Sequence, residues 1–184
     1  MNTGQMMLVI GAFAMLATLA LSINGTIINT MSLSLESEMA MNAHAFAQSM
    51  LDEILTKWFD EKAITTKIYN YSDMTLAGSF GPNFGEAVPK VDGYDVTFAS
   101  LTKFDDVDDY HKYARKITNN LGWVFIVIDS IDYVLEDDPD VASSTQTFYK
   151  RINVYVYNNN MAKDASGNII PIVMKDFAVY RRYF

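Results

Sequence analysis

Two histidines, His44 and His111, are the side chains best suited by type to carry a proton near neutral pH or to ligate a metal. They lie far apart in the chain, and neither belongs to an H-E-x-x-H run or a nucleophile elbow. They read as ordinary surface or interface histidines. The chain has no cysteine, which removes disulfides, thiolate metal sites and a cysteine nucleophile together. It has no glycine-rich phosphate loop either. Three oxygen-rich clusters remain: Asp105, Asp106, Asp108 and Asp109; Glu136, Asp137, Asp138 and Asp140; and the turn Asp164–Asn168. Such loops can bind Ca2+, but none has the EF-hand pattern with its terminal glutamate. They read as solvated loops, and Ca2+ is the one cofactor left open. Asn70-Tyr71-Ser72 fits the N-glycosylation pattern; Asn24-Gly25-Thr26 also fits but lies in an apolar stretch. The residue inventory points to a structural protein and not to an enzyme.

The informative stretch is instead Met1–Leu35, which carries no charged side chain. From Met6 to Ile23 it is apolar on every helical face. A helix rising ~1.5 Å per residue needs roughly 20 such residues to cross a ~30 Å hydrocarbon layer, and this run supplies them. The flanks are not those of a secretory signal, because the first basic residue is Lys57 and the uncharged character continues past Ser22. Thr18, Ser22, Thr26 and Thr30 recur at every fourth position and form one narrow polar strip. Their hydroxyls can bond back to carbonyls one turn earlier. Alternatively, the strip can serve as a contact between helices, since small and hydroxyl side chains allow close approach.

Beyond Leu35 the pattern becomes amphipathic. Leu35, Met39, Ala43, Phe46, Met50, Ile54 and Trp58 are three or four residues apart and define one buried stripe. Glu36, Glu38, Asp52, Glu53, Lys57, Asp60 and Glu61 supply the solvated face. No glycine or proline interrupts the chain between Thr26 and Gly78, so the spacing predicts one helix running to Asp60, softest at Asn24-Gly25.

The remainder is mixed and then strand-rich. Thr65–Tyr71 reads as a short strand or an irregular extended stretch, and Gly78–Gly85 as a loop. Tyr94–Leu101 alternates like a strand, and Asp105–Lys116 reads as a polar loop or short helix. Trp123–Val134, Thr145–Tyr157 and Ile170–Phe184 are β-branched and aromatic runs separated by short polar loops, the pattern of an antiparallel meander. The fold class is therefore α+β. Residues 1–30 form an apolar transmembrane helix, 31–62 its amphipathic continuation, and 63–184 an antiparallel sheet domain. The balance of 14 Lys and Arg against 22 Asp and Glu gives a net charge of −8. That excludes a basic footprint for nucleic acid and leaves hydrophobic, not electrostatic, attachment to a bilayer.

An uncharged N-terminal helix, continued by an amphipathic half and an antiparallel sheet, resembles the type IV pilin and pseudopilin superfamily. Phe148–Val156 is also similar to the amphipathic central strand of pilin-like heads. The resemblance implies a subunit inserted first in the inner membrane, cut by a prepilin peptidase after a glycine and handled by pilus-type assembly machinery. Copies would then pack their apolar helices into the core of an extracellular, cell-surface filament. The residues implied in that core are Met1, Gln5, Met6, Leu8, Val9, Phe13, Leu16, Leu19 and Ile23. If the mature chain starts at Met1, Gln5 occupies the fifth position, where the family usually has glutamate; a cut after Gly4 puts Val9 there. An amide at that position can still accept a hydrogen bond from a neighbour's amino group without a buried charge. Two other expectations fit the same pattern: a minor pilin or pseudopilin of a secretion or uptake system, and a membrane-anchored binding domain that does not polymerise.

Overall fold

A computed structural model of the 184-residue chain describes residues 2–88, 90–91, 94–95 and 103–181, with only the backbone considered at 90–91 and 94–95. It comprises two compact units, Met1–Met41 and Asn42–Phe184.

One helix, α1 (Thr3–Leu55, 53 residues), runs through the first unit into the second. In the first unit every residue from Asn2 to Ser37 is exposed. In the second, Ala43, Ala47, Met50, Leu51 and Ile54 are buried, at helical three- and four-residue intervals that form one stripe. The stripe read from the sequence is correct in its middle and wrong at both ends, because Leu35 and Trp58 are exposed. The helix also stops at Leu55, short of the predicted Asp60. There the Thr56 hydroxyl donates to the Glu53 carbonyl at 2.7 Å. The chain leaves the helix so that Trp58 can pair with Asp106: the Trp58 N–H donates to the Asp105 carbonyl at 3.0 Å, and the Val107 N–H to the Trp58 carbonyl at 2.9 Å. A helix continuing to residue 60 would forgo those bonds and withdraw Phe59 and Asp60 from the core, where both are buried.

A short helix α2 (Glu61–Thr65) follows, capped by the Asp60 side chain, which accepts from the Lys62 N–H at 3.2 Å. The stretch after it is irregular and leads into single 3-10 turns at Tyr71–Asp73 and Ala77–Ser79, so of the two readings for Thr65–Tyr71 the strand is excluded. The described strands are β1 (Lys90–Val91), β2 (Tyr94–Asp95), β3 (Ala114–Thr118), β4 (Val124–Tyr133), β5 (Tyr149–Tyr157) and β6 (Ile172–Val179). They lie in one sheet in sequence order. From β3 to β6 all pairing is antiparallel; β4, β5 and β6 are the meander predicted from the alternating runs, whereas β3 corrects the reading of Asp105–Lys116 as a polar loop or short helix at its end, where Ala114–Lys116 pair with Ile126–Ile128. β2 joins β3 in parallel through Asp95 and Arg115. Of the strand predicted over Tyr94–Leu101, residues 96–101 lie outside the described residues, as do Met1 and the last three of Ile170–Phe184.

Strand parity fixes the core. On β4 the residues Phe125, Val127, Asp129, Ile131 and Tyr133 are all buried, and on β5 Lys150, Ile152, Val154 and Val156 are buried. The Phe46 ring meets Phe125 edge-on at 5.1 Å, so the sheet takes the buried stripe of α1 against this face. The result is an α+β arrangement, with a long N-terminal helix packed on an antiparallel sheet.

Candidate functional site

The residues expected in a filament core share one property in the structure. Gln5, Met6, Leu8, Val9, Phe13, Leu16, Leu19 and Ile23 are on α1 and all exposed; Met1 lies outside the described residues. Large apolar side chains from Met6 to Leu35 range from 47% exposed at Val9 to 76% at Met15, so among the described residues no face of this segment is covered within its own unit. The helix is long and apolar enough to cross a membrane. The polar strip needs no outside partner at three of its four positions. The hydroxyl of Thr18 donates to the Met15 carbonyl at 2.9 Å, Thr26 to Ser22 at 3.0 Å, and Thr30 to Thr26 at 2.8 Å. Those hydroxyls enter an apolar environment already bonded, which lowers the cost of burying the strip.

In the second unit, the sheet and the end of α1 are locked by buried charges, among which Glu53, Asp60 and Asp108 were expected in solvent. Lys150 is fully buried and donates to Asp108 Oδ1 at 2.6 Å, Asp60 Oδ2 at 3.1 Å and the Phe59 carbonyl at 2.6 Å. Asp60 in turn accepts from the Thr75 N–H at 3.1 Å and the Tyr133 hydroxyl at 3.2 Å. The cluster Asp105–Asp109, expected to be a solvated loop, is instead mostly interior. Asp106, Asp108 and Asp109 are buried because the 3-10 turn Asp108–Tyr110 folds back against the end of α1 and delivers Asp108 to Lys150. Burial pushes the Asp106 carboxyl up to about 9, with Asp108 and Asp109 adding repulsion. Burial, with Glu86 next, pushes Asp109 to about 7.

A second ionic contact joins α1 to β3. Arg115 grips Glu53 through both terminal nitrogens, each at 2.9 Å, while the Tyr110 hydroxyl donates to Glu53 at 2.8 Å. Tyr110, Tyr113 and Phe104 pack edge-on around it, with ring centroids 5.0 to 5.6 Å apart. Asp129 faces the same region with both carboxyl oxygens buried and without a hydrogen-bond partner. Complete burial raises it well above the ordinary carboxylate range, and Glu53 adds to that while Arg115 opposes it. A neutral carboxyl is what such a position tolerates.

The remaining sequence candidates are placed as follows. His44 is exposed on α1, whereas His111 is half-buried, accepts the Ile131 N–H at Nδ1 at 3.2 Å and packs against Phe80. Burial, then the nearby Lys112, lowers its basicity. The two histidines are not brought into one described group. Asn70 is exposed before the turn Tyr71–Asp73, and Asn24 is exposed on α1. Glu136–Asp140 and Asp164–Asn168 are exposed as expected; in the latter, Asp164 accepts from the N–H groups of Ser166 and Asn168, both at 2.8 Å. One acidic group was not foreseen: Glu61, Glu86 and Asp105 each bring a carboxylate oxygen within 4.8 Å of the others. Comparison with protein-family models, with curated proteins and with solved structures gave no match.

Proposed function

We propose that this chain is a structural subunit of a pilus-like filament, held in the cytoplasmic membrane before assembly and joined to copies of itself through the apolar part of α1. The observation that carries this reading is the exposure of the whole circumference of an uncharged helical segment from Thr3 to Leu35. Water cannot be its environment, since burying apolar surface gains about 25 cal/mol per Å² and the segment buries almost none of its own. A bilayer satisfies it first. Neighbouring copies of the same helix satisfy it equally well after extraction, and a staggered, non-closing contact between identical helices propagates as a helical fibre. The helix also continues without interruption past the length a membrane anchor requires. The role is mechanical, with the acidic head exposed on the fibre, where the chain's net charge of −8, all of it beyond Leu35, keeps filaments apart.

The test is electron microscopy of material sheared from the cell surface, with mass spectrometry of its N-terminal peptide. Filaments made of this chain are the expected result, and the peptide mass distinguishes a start at Met1 from one at Gln5. Recovery only as a detergent-soluble monomer would overturn the filament reading and favour an anchored binding domain. Recovery in short fibres at low copy number would favour a minor pilin or pseudopilin.

A further inference from the structure

We propose that Lys150 and Asp108 condense into an amide, an intramolecular cross-link that fastens the turn Asp108–Tyr110 to β5 with loss of one water. Lys150 Nζ donates to Asp108 Oδ1 at 2.6 Å and to Asp60 Oδ2 at 3.1 Å. The side chains of Lys150 and Asp60 are wholly inaccessible to solvent, and that of Asp108 is nearly so. The rings of Phe59, Phe80 and Tyr133 enclose the nitrogen, with centroids 4.5, 5.0 and 5.3 Å away. The Asp108 carboxyl carbon is one bond beyond the oxygen that Nζ contacts. The two reacting atoms therefore stand near the roughly 3–3.5 Å separation from which attack proceeds.

Two carboxylates touch the amine, and their surroundings give them different parts. Asp60 is held elsewhere: it accepts the Lys62 N–H at 3.2 Å, the Thr75 N–H and hydroxyl at 3.1 Å each, and the Tyr133 hydroxyl at 3.2 Å. Acylating the amine with Asp60 would forfeit part of that set. Asp108 lies closer and is the acyl partner. Its burial raises the carboxyl, although Lys150 pulls the other way, so Asp108 can take a proton from the ammonium. Nζ, now a neutral amine, attacks Asp108 Cγ and the N–C bond forms. Asp60 takes the surplus amine proton as general base and passes it to the departing hydroxyl. The C–O bond breaks and water leaves, with Asp60 regenerated and nothing oxidised or reduced. In water the reverse reaction wins, because the free ions are well solvated. Here that solvation is absent, and a well-oriented pair reaches effective concentrations of about 10⁵–10⁸ M. The bond is internal to one chain and forms whether or not copies assemble.

The full-length chain is purified in detergent micelles and denatured, its intact mass is measured, and its proteolytic peptides are sequenced by tandem mass spectrometry. A mass one water below that of the sequence is expected, with a branched peptide joining the segment around Asp108 to that around Lys150. Lys150→Met and Asp108→Ala should each show the full mass of their own sequence. Asp60→Asn, checked for folding by its melting, should lower the cross-linked fraction at a fixed time after synthesis at least about tenfold, since a positioned general base contributes about 10²–10⁴-fold. A wild type at the undiminished sequence mass, or a water loss confined to a linear peptide, as from an aspartate cyclised on its own backbone, would overturn the bond. An Asp60→Asn chain that folds and cross-links like the wild type would overturn the part assigned to Asp60.

Discussion

Burying Asp129 costs the fold more the higher the pH. Its carboxyl holds a proton in the folded chain above the pH at which the unfolded chain, titrating near about 3.9, has released it. The folded state therefore binds more protons across that window, and stability falls as pH rises through it. Asp129→Asn keeps the shape but cannot ionise, so its Tm should fall less than that of the wild type between pH 5 and pH 9 in parallel melts. Equal slopes would mean that Asp129 is not the titrating group. Lys150 presents the opposite case, a charge that is satisfied. Lys150→Met fills much the same space but leaves Asp60 and Asp108 buried without their cation. A loss of about 3–5 kcal/mol is expected in chemical denaturation, the usual cost of removing one partner from a buried pair. Both residues were within reach of the sequence. Asp129 has the parity of Phe125, Val127 and Ile131, and Lys150 that of Ile152, Val154 and Val156. Strict alternation puts each of them inward, although each carries a charge that ordinarily favours solvent.

At the level of elements, the alternating runs gave β4, β5 and β6 of the meander but not β3, and the apolar spacing gave α1, because local periodicity reports which face a segment buries. What it did not report was the consequence of long-range pairing. The end of α1 is set by the bridge from Trp58 to Asp106, nearly fifty positions along the chain, and the parallel contact of β2 with β3 is likewise non-local. The acidic cluster at Asp105–Asp109 went the same way, since only the fold brings Lys150 to it. Glu53 and Arg115 illustrate how such a non-local tie fastens one element to another, with both side chains almost fully buried. Arg115→Met should destabilise the head by about 3–5 kcal/mol. Adding Glu53→Met to it should restore part of that loss, giving a coupling of about 1–3 kcal/mol in a double-mutant cycle. Strictly additive losses in urea titrations would show that the pair contributes no more than its separate packing.

For the whole molecule, membrane insertion and assembly make different demands on the same helix, and that difference can be measured. Insertion requires only that residues along α1 be apolar, whichever direction they face. Assembly through neighbouring helices additionally requires that small residues let their backbones approach. Gly11 separates the two requirements: a Cβ added there would meet nothing within 4 Å, so within the subunit a larger side chain has room. Gly11→Leu makes the segment more apolar and improves its helix propensity, so insertion should be undiminished and the head should melt at the wild-type temperature. If filaments form through this surface, the added bulk obstructs the approach of a neighbouring copy. Surface-sheared filaments should then fall at least about tenfold, an interface loss of about 1.4 kcal/mol or more, while the membrane-bound pool rises. Unchanged filament yield would place the contact on another face of α1, and loss of the membrane pool as well would point to insertion as the step affected. The distribution between the two fractions, quantified by immunoblot, thus reads out what α1 does after it has entered the bilayer.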